Sequence, residues 1–450
     1  MIVTTNNIFN QLKSEIDIYS NFIILPILEN HLLLRYKNNL LLLYICILDD
    51  NFNIVNKYIL NINHLDIFFK CNIDELDFTN KNLYTNDKKC LTFFLSCTNI
   101  YELQIVDKNV NFNRKTLDLN NTFNLHHSKK SYNKILPLTH HIEYLEQEFQ
   151  YYYDLLIENK TRIKDKDFLF YNNIISTLYK IESEGICINK ELFKEINKDK
   201  LQYHLKDSFD NYVYCDYNIY TSTGRTSNSY GRINFNALNK KTNEREIIVS
   251  RYGKEGMLIE FDYSAYHLSI LADLIQYKFP DNIKSIHDYL GKQYFNVEEL
   301  SKEQYKDTKI LNFQFLYGGI PDDIIDNIEY FKKVNIYLKL LYKEYLENGF
   351  IVSPISNRRI DNVENHNANK VLNYLLQMLE TEITTNNISN VMNKINNKKI
   401  HSILYVYDSI LFDIHKSELE FMENIKTILS ENNKFIITTK YSETNYKDIK

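Results

Sequence analysis

Short apolar runs separated by a few polar residues fill the first part of the chain. Phe22–Leu28 (FIILPIL), Leu32–Tyr36 (LLLRY) and Leu40–Leu48 (LLLLYICIL) are divided by Glu29, Asn30 and Asn38. Runs of this length and content predict adjacent strands of a hairpin or meander. Lys89–Cys97 reads as a helix segment or a strand, and Ile100–Val106 as a further strand. Residues 1–130 thus predict an α/β or sheet-rich domain. The period then becomes helical, from near His140 through Tyr153 and again from Phe168. Phe170–Ile186 has apolar residues at helical spacing and reaches Gly185, a C-cap candidate. A charged helix is predicted within 188–213. Further helices are predicted at Ser264–Tyr277, 301–316, 323–346 and Asn367–Asn386. Ile400–Ile414 has apolar strands on both sides of Tyr407-Asp408, which predicts a β-hairpin with the acid at its tip. No internal repeat stands out.

At 450 residues, 44% hydrophobic and 25% charged, the chain has the length for two or three domains and the balance of a globular protein. Asn, Ile, Lys and Tyr are over-used in the manner of an AT-rich genome, so a single residue of these types carries little weight. The net charge of -5 argues against a general nucleic-acid coat but leaves room for a local basic groove. The cysteines (Cys46, Cys71, Cys90, Cys97, Cys187 and Cys215) form no CxxC pair and no zinc spacing, so they read as reduced thiols. With no apolar span of membrane length and no secretory pattern, an intracellular protein is expected.

Two aspartates carry the candidate chemistry. Asp262 and Asp408 each follow an apolar, β-rich run, where a carboxylate projects from a strand end while the strand stays buried. If antiparallel strands of one sheet bring them together, they can bridge two Mg²⁺ ions, with the Tyr263 carbonyl as an added oxygen ligand. The alternative is two ordinary turn acids. Lys309, Phe313 and Tyr317 lie at i, i+4 and i+8 on one helical face, with Lys306 a turn earlier. A lysine there can neutralise a triphosphate, and the rings can pack on sugar and base; the alternative is an amphipathic helix with an incidental lysine. Thr223–Arg232 (TGRTSNSYGR) supplies Arg225 and Arg232 for a phosphate backbone or minor groove, or is simply a solvated loop.

TSTGRTS (221–227), DYSAYHLSILA (262–272), KILNFQFLYG (309–318) and YDSILFD (407–413) together resemble, in order and spacing, the family A DNA polymerases, the group of bacterial DNA polymerase I and its phage relatives. The resemblance covers about residues 170–450. It implies an α+β right-hand polymerase fold with palm, fingers and a reduced thumb, preceded by an α/β ribonuclease H-like domain of exonuclease type. The expected division is 1–165 for the exonuclease-like domain, 166–220 for the thumb and 221–450 for palm and fingers, the fingers at about 275–350. It implies template-directed DNA synthesis from dNTPs on primer–template DNA. It also implies two Mg²⁺ ions, with Mn²⁺ as a substitute. Asp262 and Asp408 match the catalytic metal ligands. Lys309, Phe313 and Tyr317 match nucleotide-binding residues of the fingers helix, and His287 a histidine near the incoming phosphates. Arg225 matches the primer-side minor-groove arginine, and Asn373 and Gln377 a polar pair near the primer–template junction. Arg358 and Arg359 fall where the family has an arginine-rich turn.

The chain departs from the family pattern at several positions. His267 stands where a glutamate usually helps exclude a ribose 2′-hydroxyl. Tyr407 and Ser409 replace the histidine and second carboxylate that flank the family's catalytic aspartate. Tyr305 takes the place of a phosphate-binding arginine, with Lys306 beside it, and Gln314 replaces a usual glycine. The thumb is short, which implies low processivity or a clamping or replisome partner. In the N-terminal domain, Pro26 and Leu28 stand where a proofreading site would carry acids, so an exonuclease-like domain without proofreading chemistry is expected. Two rival readings are a single-subunit RNA polymerase, favoured by His267 and Ser409, and a catalytically silent DNA-binding replication scaffold. The implied setting is the cytoplasm of a bacterial or phage-infected cell, or an organelle that holds nucleic acid, with no membrane partner.

Overall fold

The computed structural model describes residues 1–29, 38–107, 138–198, 211–228, 234–239, 242–280, 283, 285–361 and 363–450. The chain divides into two compact units, Met1–Ser176 and Thr177–Lys450.

The first unit is built on one five-stranded sheet: β1 (Asn21–Leu28), β2 (Leu40–Leu48), β3 (Ile54–Asn61), β4 (Asn82–Thr85) and β5 (Asn99–Glu102), in the order β3-β2-β1-β4-β5. β1, β2 and β3 are antiparallel neighbours, and β4 and β5 join in parallel. The uninterrupted apolar runs follow from burial of both faces of this sheet. On one side Phe22, Ile24, Leu43 and Ile45 meet Phe9, Leu12 and Ile16 of α1 (Asn6–Ile18). On the other, Ile23, Leu25 and Tyr44 meet Leu145, Phe149 and Tyr152 of α3 (Leu138–Asn159). Pro26 sits in β1 at a point paired to β2 but beyond the β4 pairing, which ends at Ile23, so its missing N–H breaks no bond to β4. The segment Lys89–Cys97, ambiguous in sequence, is helical over α2 (Lys88–Phe94), capped by the Asp87 carboxylate. Its β-branched content is low, and the cap settles the choice. The expected strand Ile100–Val106 stops at Glu102 and tightens into a 3₁₀ turn. The expected strand Leu32–Tyr36 lies outside the described residues.

The chain divides within α4 (Lys166–Glu184), which ends at Gly185 with φ +65°. A Cβ there would lie 2.9 Å from Tyr214 Cε1, so both backbone angle and space require glycine. The charged helix expected within 188–213 is α5 (Lys190–Asn197). Short ribbons follow: β6 (Ile186–Cys187) with β7 (Tyr212–Val213), and β8 (Tyr217–Asn218) with β9 (Ser227–Asn228).

The second unit's main sheet contains β10 (Gly256–Tyr263), β13 (Ile400–Val406), β14 (Ser409–His415) and β15 (Ile437–Ser442), in the order β13-β14-β10-β15. All neighbours are antiparallel, and the register pairs Asp262 with Ser409. α6 (Tyr266–Leu274) leaves β10 after two residues and is shorter than the expected Ser264–Tyr277, because Ala265 takes a left-handed φ of 51° before its first turn. α7 (Ile286–Phe295), α8 (Lys302–Gly318), α9 (Asp322–Asn327) and α10 (Glu329–Asn348) form the helical insert. α8 begins with a capping box from Ser301 and Gln304. A hairpin of β11 (Phe350–Val352) and β12 (Arg359–Asp361) precedes α11, which runs from Ala368 to Ile395, nine residues past the expected end. Asn and Ser, weak helix formers, mark those last turns, and burial of Asn387, Ile388, Val391 and Ile395 overrides their propensity. α12 (Met422–Leu429) packs on α11, where Asn387 and the Tyr263 hydroxyl both reach the Leu429 carbonyl.

All the described cysteines are free thiols. Among the described residues no helix is long and apolar enough to cross a membrane.

Candidate active site

The site is set by the end of β10 and the turn between β13 and β14. Val406 pairs with Ser409, leaving Tyr407-Asp408 as a two-residue loop, with Tyr407 at φ +57°. A left-handed aromatic residue costs on the order of 1 kcal/mol. The Arg225 guanidinium lies over the Tyr407 ring, 3.8 Å from its centroid, which offsets part of that cost. The Tyr263 amide donates to the Asp408 carbonyl at 2.9 Å, joining this turn to the end of β10. Asp262 is half-buried, while Asp408 keeps an exposed face. Desolvation, then the charge of Asp262, then that of Glu380, push the Asp408 carboxyl up to about 6, against the smaller pull of Arg225. Among the described residues no group of three or more His, Cys, Asp or Glu side chains is arranged to hold a metal ion. Tyr263 is buried, its ring stacked on Tyr266 at 4.1 Å.

α8 presents the cationic and aromatic stripe. Lys306, Lys309 and Phe313 are exposed, and Tyr317 is half-buried. Lys309 Nζ sits 4.7 Å from the centroid of the Tyr305 ring, the ring that replaces the family's arginine. Phe313 and Tyr317 stack at 6.0 Å. The Tyr317 hydroxyl meets His267 Nδ1 at 2.5 Å, which brings α8 and α6 to one point. Burial, then Glu380, push that hydroxyl up to about 12, with Arg225 opposing and Asp408 adding.

His287 is buried on α7, where its Nδ1 meets Asn312 Nδ2 at 2.8 Å. Desolvation and then the nearby Lys309 charge hold its imidazolium down to about 4, so the ring is neutral near pH 7. The ring can therefore offer a hydrogen bond but no positive charge near pH 7.

The Thr221–Arg225 loop meets α11. Thr223 Oγ1 donates to Gln377 Oε1 at 3.1 Å, and Gln377 Nε2 donates to Asn373 Oδ1 at 3.0 Å. Arg358 donates to the Thr221 carbonyl at 3.3 Å. Its turn is held by the buried Glu382, which accepts from Ser353 at 2.5 Å and Ser356 at 2.6 Å. Arg359 turns the other way, to Asp361 at 3.1 Å and over the Phe350 ring at 3.5 Å. Arg232 lies outside the described residues.

Glu380, Glu382 and Asn312 escaped the sequence reading. Each sits inside a helix, Glu380 and Glu382 outside the four motifs and Asn312 within the 309–318 motif but off its Lys309–Phe313–Tyr317 stripe. Their only signal is a polar side chain at an apolar-phased position, which means little without its partner. Arg225 donates to Glu380 Oε1 at 3.2 Å, and His267 Nε2 meets Glu380 Oε2 at 2.7 Å.

Known proteins extend this picture. The family model described as DNA polymerase family A matches residues 176–442. No curated protein matches the chain. Among solved structures it resembles the POL domain of Pol1 from M. smegmatis, determined in complex with DNA primer-template and dNTP, with a TM-score of 0.72. The match covers 100% of each chain at 13% sequence identity, a likeness of fold.

Proposed function

Because the chain belongs to DNA polymerase family A, we propose that it extends a primer 3′-hydroxyl with dNTPs on a DNA template through the Asp262–Asp408 pair. The observation that carries this reading is the register of β10 against β14, which puts Asp262 opposite Ser409 and so beside the Asp408 turn. Family A polymerases use divalent metal. The donor set here fits a hard divalent cation: two neighbouring carboxylates offering oxygen ligands only, one of them held well above its ordinary range by burial and negative neighbours. Asp262, Asp408 and the Tyr263 carbonyl would hold two Mg²⁺ ions, for which Mn²⁺ is a substitute. Bound there, such cations neutralise the triphosphate and acidify the primer hydroxyl.

The remaining groups bind and orient. Lys309 and Lys306 face the triphosphate, and His287 donates from a neutral ring. Phe313 and Tyr317 offer stacking faces, and His267 limits space at the sugar. Arg225, with Asn373 and Gln377 behind its loop, lines the primer side; Arg358, Arg359 and Arg232 add backbone contacts.

In the proposed division, 1–165 is exonuclease-like, 166–220 is a reduced thumb and 221–450 is palm and fingers, with 275–350 as fingers. The β3-β2-β1-β4-β5 order, with β2 antiparallel to its neighbours, supports a ribonuclease H-like reading of the N-terminal unit. Buried Pro26 and apolar Leu28 on β1 support the loss of proofreading. A short thumb fits a processivity or replisome partner, and the compartment proposed is one that holds DNA.

Primer extension by the whole chain tests the proposal, run with dNTPs and with rNTPs beside a mismatched-primer degradation assay. Template-directed dNTP addition, with no shortening of the mismatched primer, is expected. Promoter-dependent, primer-free use of rNTPs would establish the RNA polymerase reading instead. DNA binding without extension in Mg²⁺ or Mn²⁺ would establish the silent scaffold.

A further inference from the structure

Glu380 lies in the middle of α11 with its side chain 1% exposed. An ionised carboxylate at that depth costs several kcal/mol unless its oxygens are paired. Both are, and by partners from different segments: Oε1 takes the Arg225 guanidinium at 3.2 Å, and Oε2 takes His267 Nε2 at 2.7 Å. The second pairing has a consequence one atom further on. When Nε2–H donates to the carboxylate, a neutral imidazole offers Nδ1 as an acceptor, and the Tyr317 hydroxyl stands there at 2.5 Å. Tyr317 in turn stacks on Phe313 of α8. One carboxylate therefore links the helix after β10, the primer-side loop and the fingers helix.

We propose that Glu380 is a positioning residue for nucleotide selection: its carboxylate fixes the ring of His267, and through it the Tyr317 side chain, while anchoring Arg225. On the polymerase reading above, position 267 faces the incoming sugar. The carboxylate found there in the resembling family is here supplied from the facing helix, with an imidazole interposed. Both Glu380 oxygens are engaged by these partners rather than left open to the aspartate pair.

The geometry makes a reciprocal prediction. In H267E two carboxylates face each other with only Arg225 between them, a repulsive arrangement. In H267E/E380Q the amide introduced on α11 can donate to the new carboxylate on α6, whose other oxygen accepts from Tyr317.

The test is single-nucleotide incorporation by the full chain on primer–template, with matched dNTP and rNTP, beside thermal melting of each variant. E380Q is expected to raise KM for dNTP about tenfold and to reduce the dNTP/rNTP selectivity ratio by a similar factor, with a smaller change in kcat. E380D, which withdraws the charge by one methylene, is expected to lie between E380Q and wild type. H267E alone should be worse than E380Q, and H267E/E380Q should recover selectivity to within about threefold of wild type. A merely structural role would lower the melting temperature without moving KM or the sugar ratio, and would show no rescue; either result overturns the proposal. If E380Q fails to fold, E380D carries the same test, with unchanged KM and selectivity overturning it. A wild-type chain unable to extend any primer would instead sink the polymerase reading, and this role with it.

Discussion

At the scale of single residues, negative charge concentrates around the Tyr407-Asp408 turn. Asp408 is pushed up to about 6 by burial first, then by Asp262 and Glu380. Its folded pKa lies above its unfolded value near 4, so the protonated form is favoured by folding. That stabilisation is fully present below about pH 4 and is lost as pH rises through about 6. Asp408→Asn keeps a neutral group at every pH. Without divalent metal, thermal melting at pH 7.5 should therefore find Asp408→Asn about 1–3 °C above wild type, with the gap closing by pH 4; the shift is small because the side chain meets solvent. The same substitution, like Asp262→Asn, should reduce primer extension by about 10³-fold or more. Wild type should melt higher on addition of Mg²⁺ at pH 7.5 and respond much less at pH 5, where protons compete for Asp408; the variant should not respond at all. His287 behaves in the opposite sense. Its folded pKa is lowered to about 4, so its contribution to stability is present above about 6.5 and is lost as pH falls toward 4. The His287 ring resonances, followed by NMR, should not titrate between pH 5 and 8.

At the scale of elements, the cationic and aromatic stripe of α8 depends on how closely two helices approach. A Cβ on Gly291 of α7 would fall 2.2 Å from Thr308 Oγ1 and 2.7 Å from Leu300 Cδ1. Thr308 is fully buried on α8, one residue before Lys309. Gly291→Ala must therefore push α8 outward, at a cost of about 1–3 kcal/mol. Urea denaturation should show that loss, and steady-state kinetics should show KM for dNTP rising more than kcat falls. The arginine turn depends on a buried acid in the same way. Glu382→Ala strands the hydroxyls of Ser353 and Ser356, and should cost about 2–4 kcal/mol by denaturation. These two devices also mark what the sequence made legible. Many of the helices, the hairpin at Tyr407-Asp408 and the motif order are readable, because each rests on local period, turn chemistry or a run of neighbouring residues, whereas the expected helix 323–346 breaks at Ile328 into α9 and α10. Gly291 reads as a tolerated helical glycine until Thr308 is seen against it. Glu380 and Glu382 read as misplaced charges in LLQMLETEI until Arg225, His267 and the serines close around them. Long-range pairing is not encoded in local pattern, and these positions depend on nothing else.

At the scale of the whole molecule, the segment that matches DNA polymerase family A follows a unit whose first strand is apolar and carries Pro26 and Leu28. A mismatched primer terminus incubated with the whole chain and Mg²⁺ should stay at full length for as long as a matched one. Restoring acids at Pro26 and Leu28 alone should not create degradation, because both faces of that sheet are packed with apolar side chains. Activity itself rests on a narrower condition than this architecture. Asp262 and Asp408, distant in sequence, must meet through the β10–β14 register to hold divalent metal around a reacting phosphate. The most direct measurement is anomalous diffraction from Mn²⁺ in crystals of the whole chain with primer–template and an incoming dNTP. A metal peak is expected within coordination distance of both carboxylates and of the triphosphate. Metal peaks that touch neither aspartate, or carboxylates more than about 10 Å apart in that complex, would contradict it.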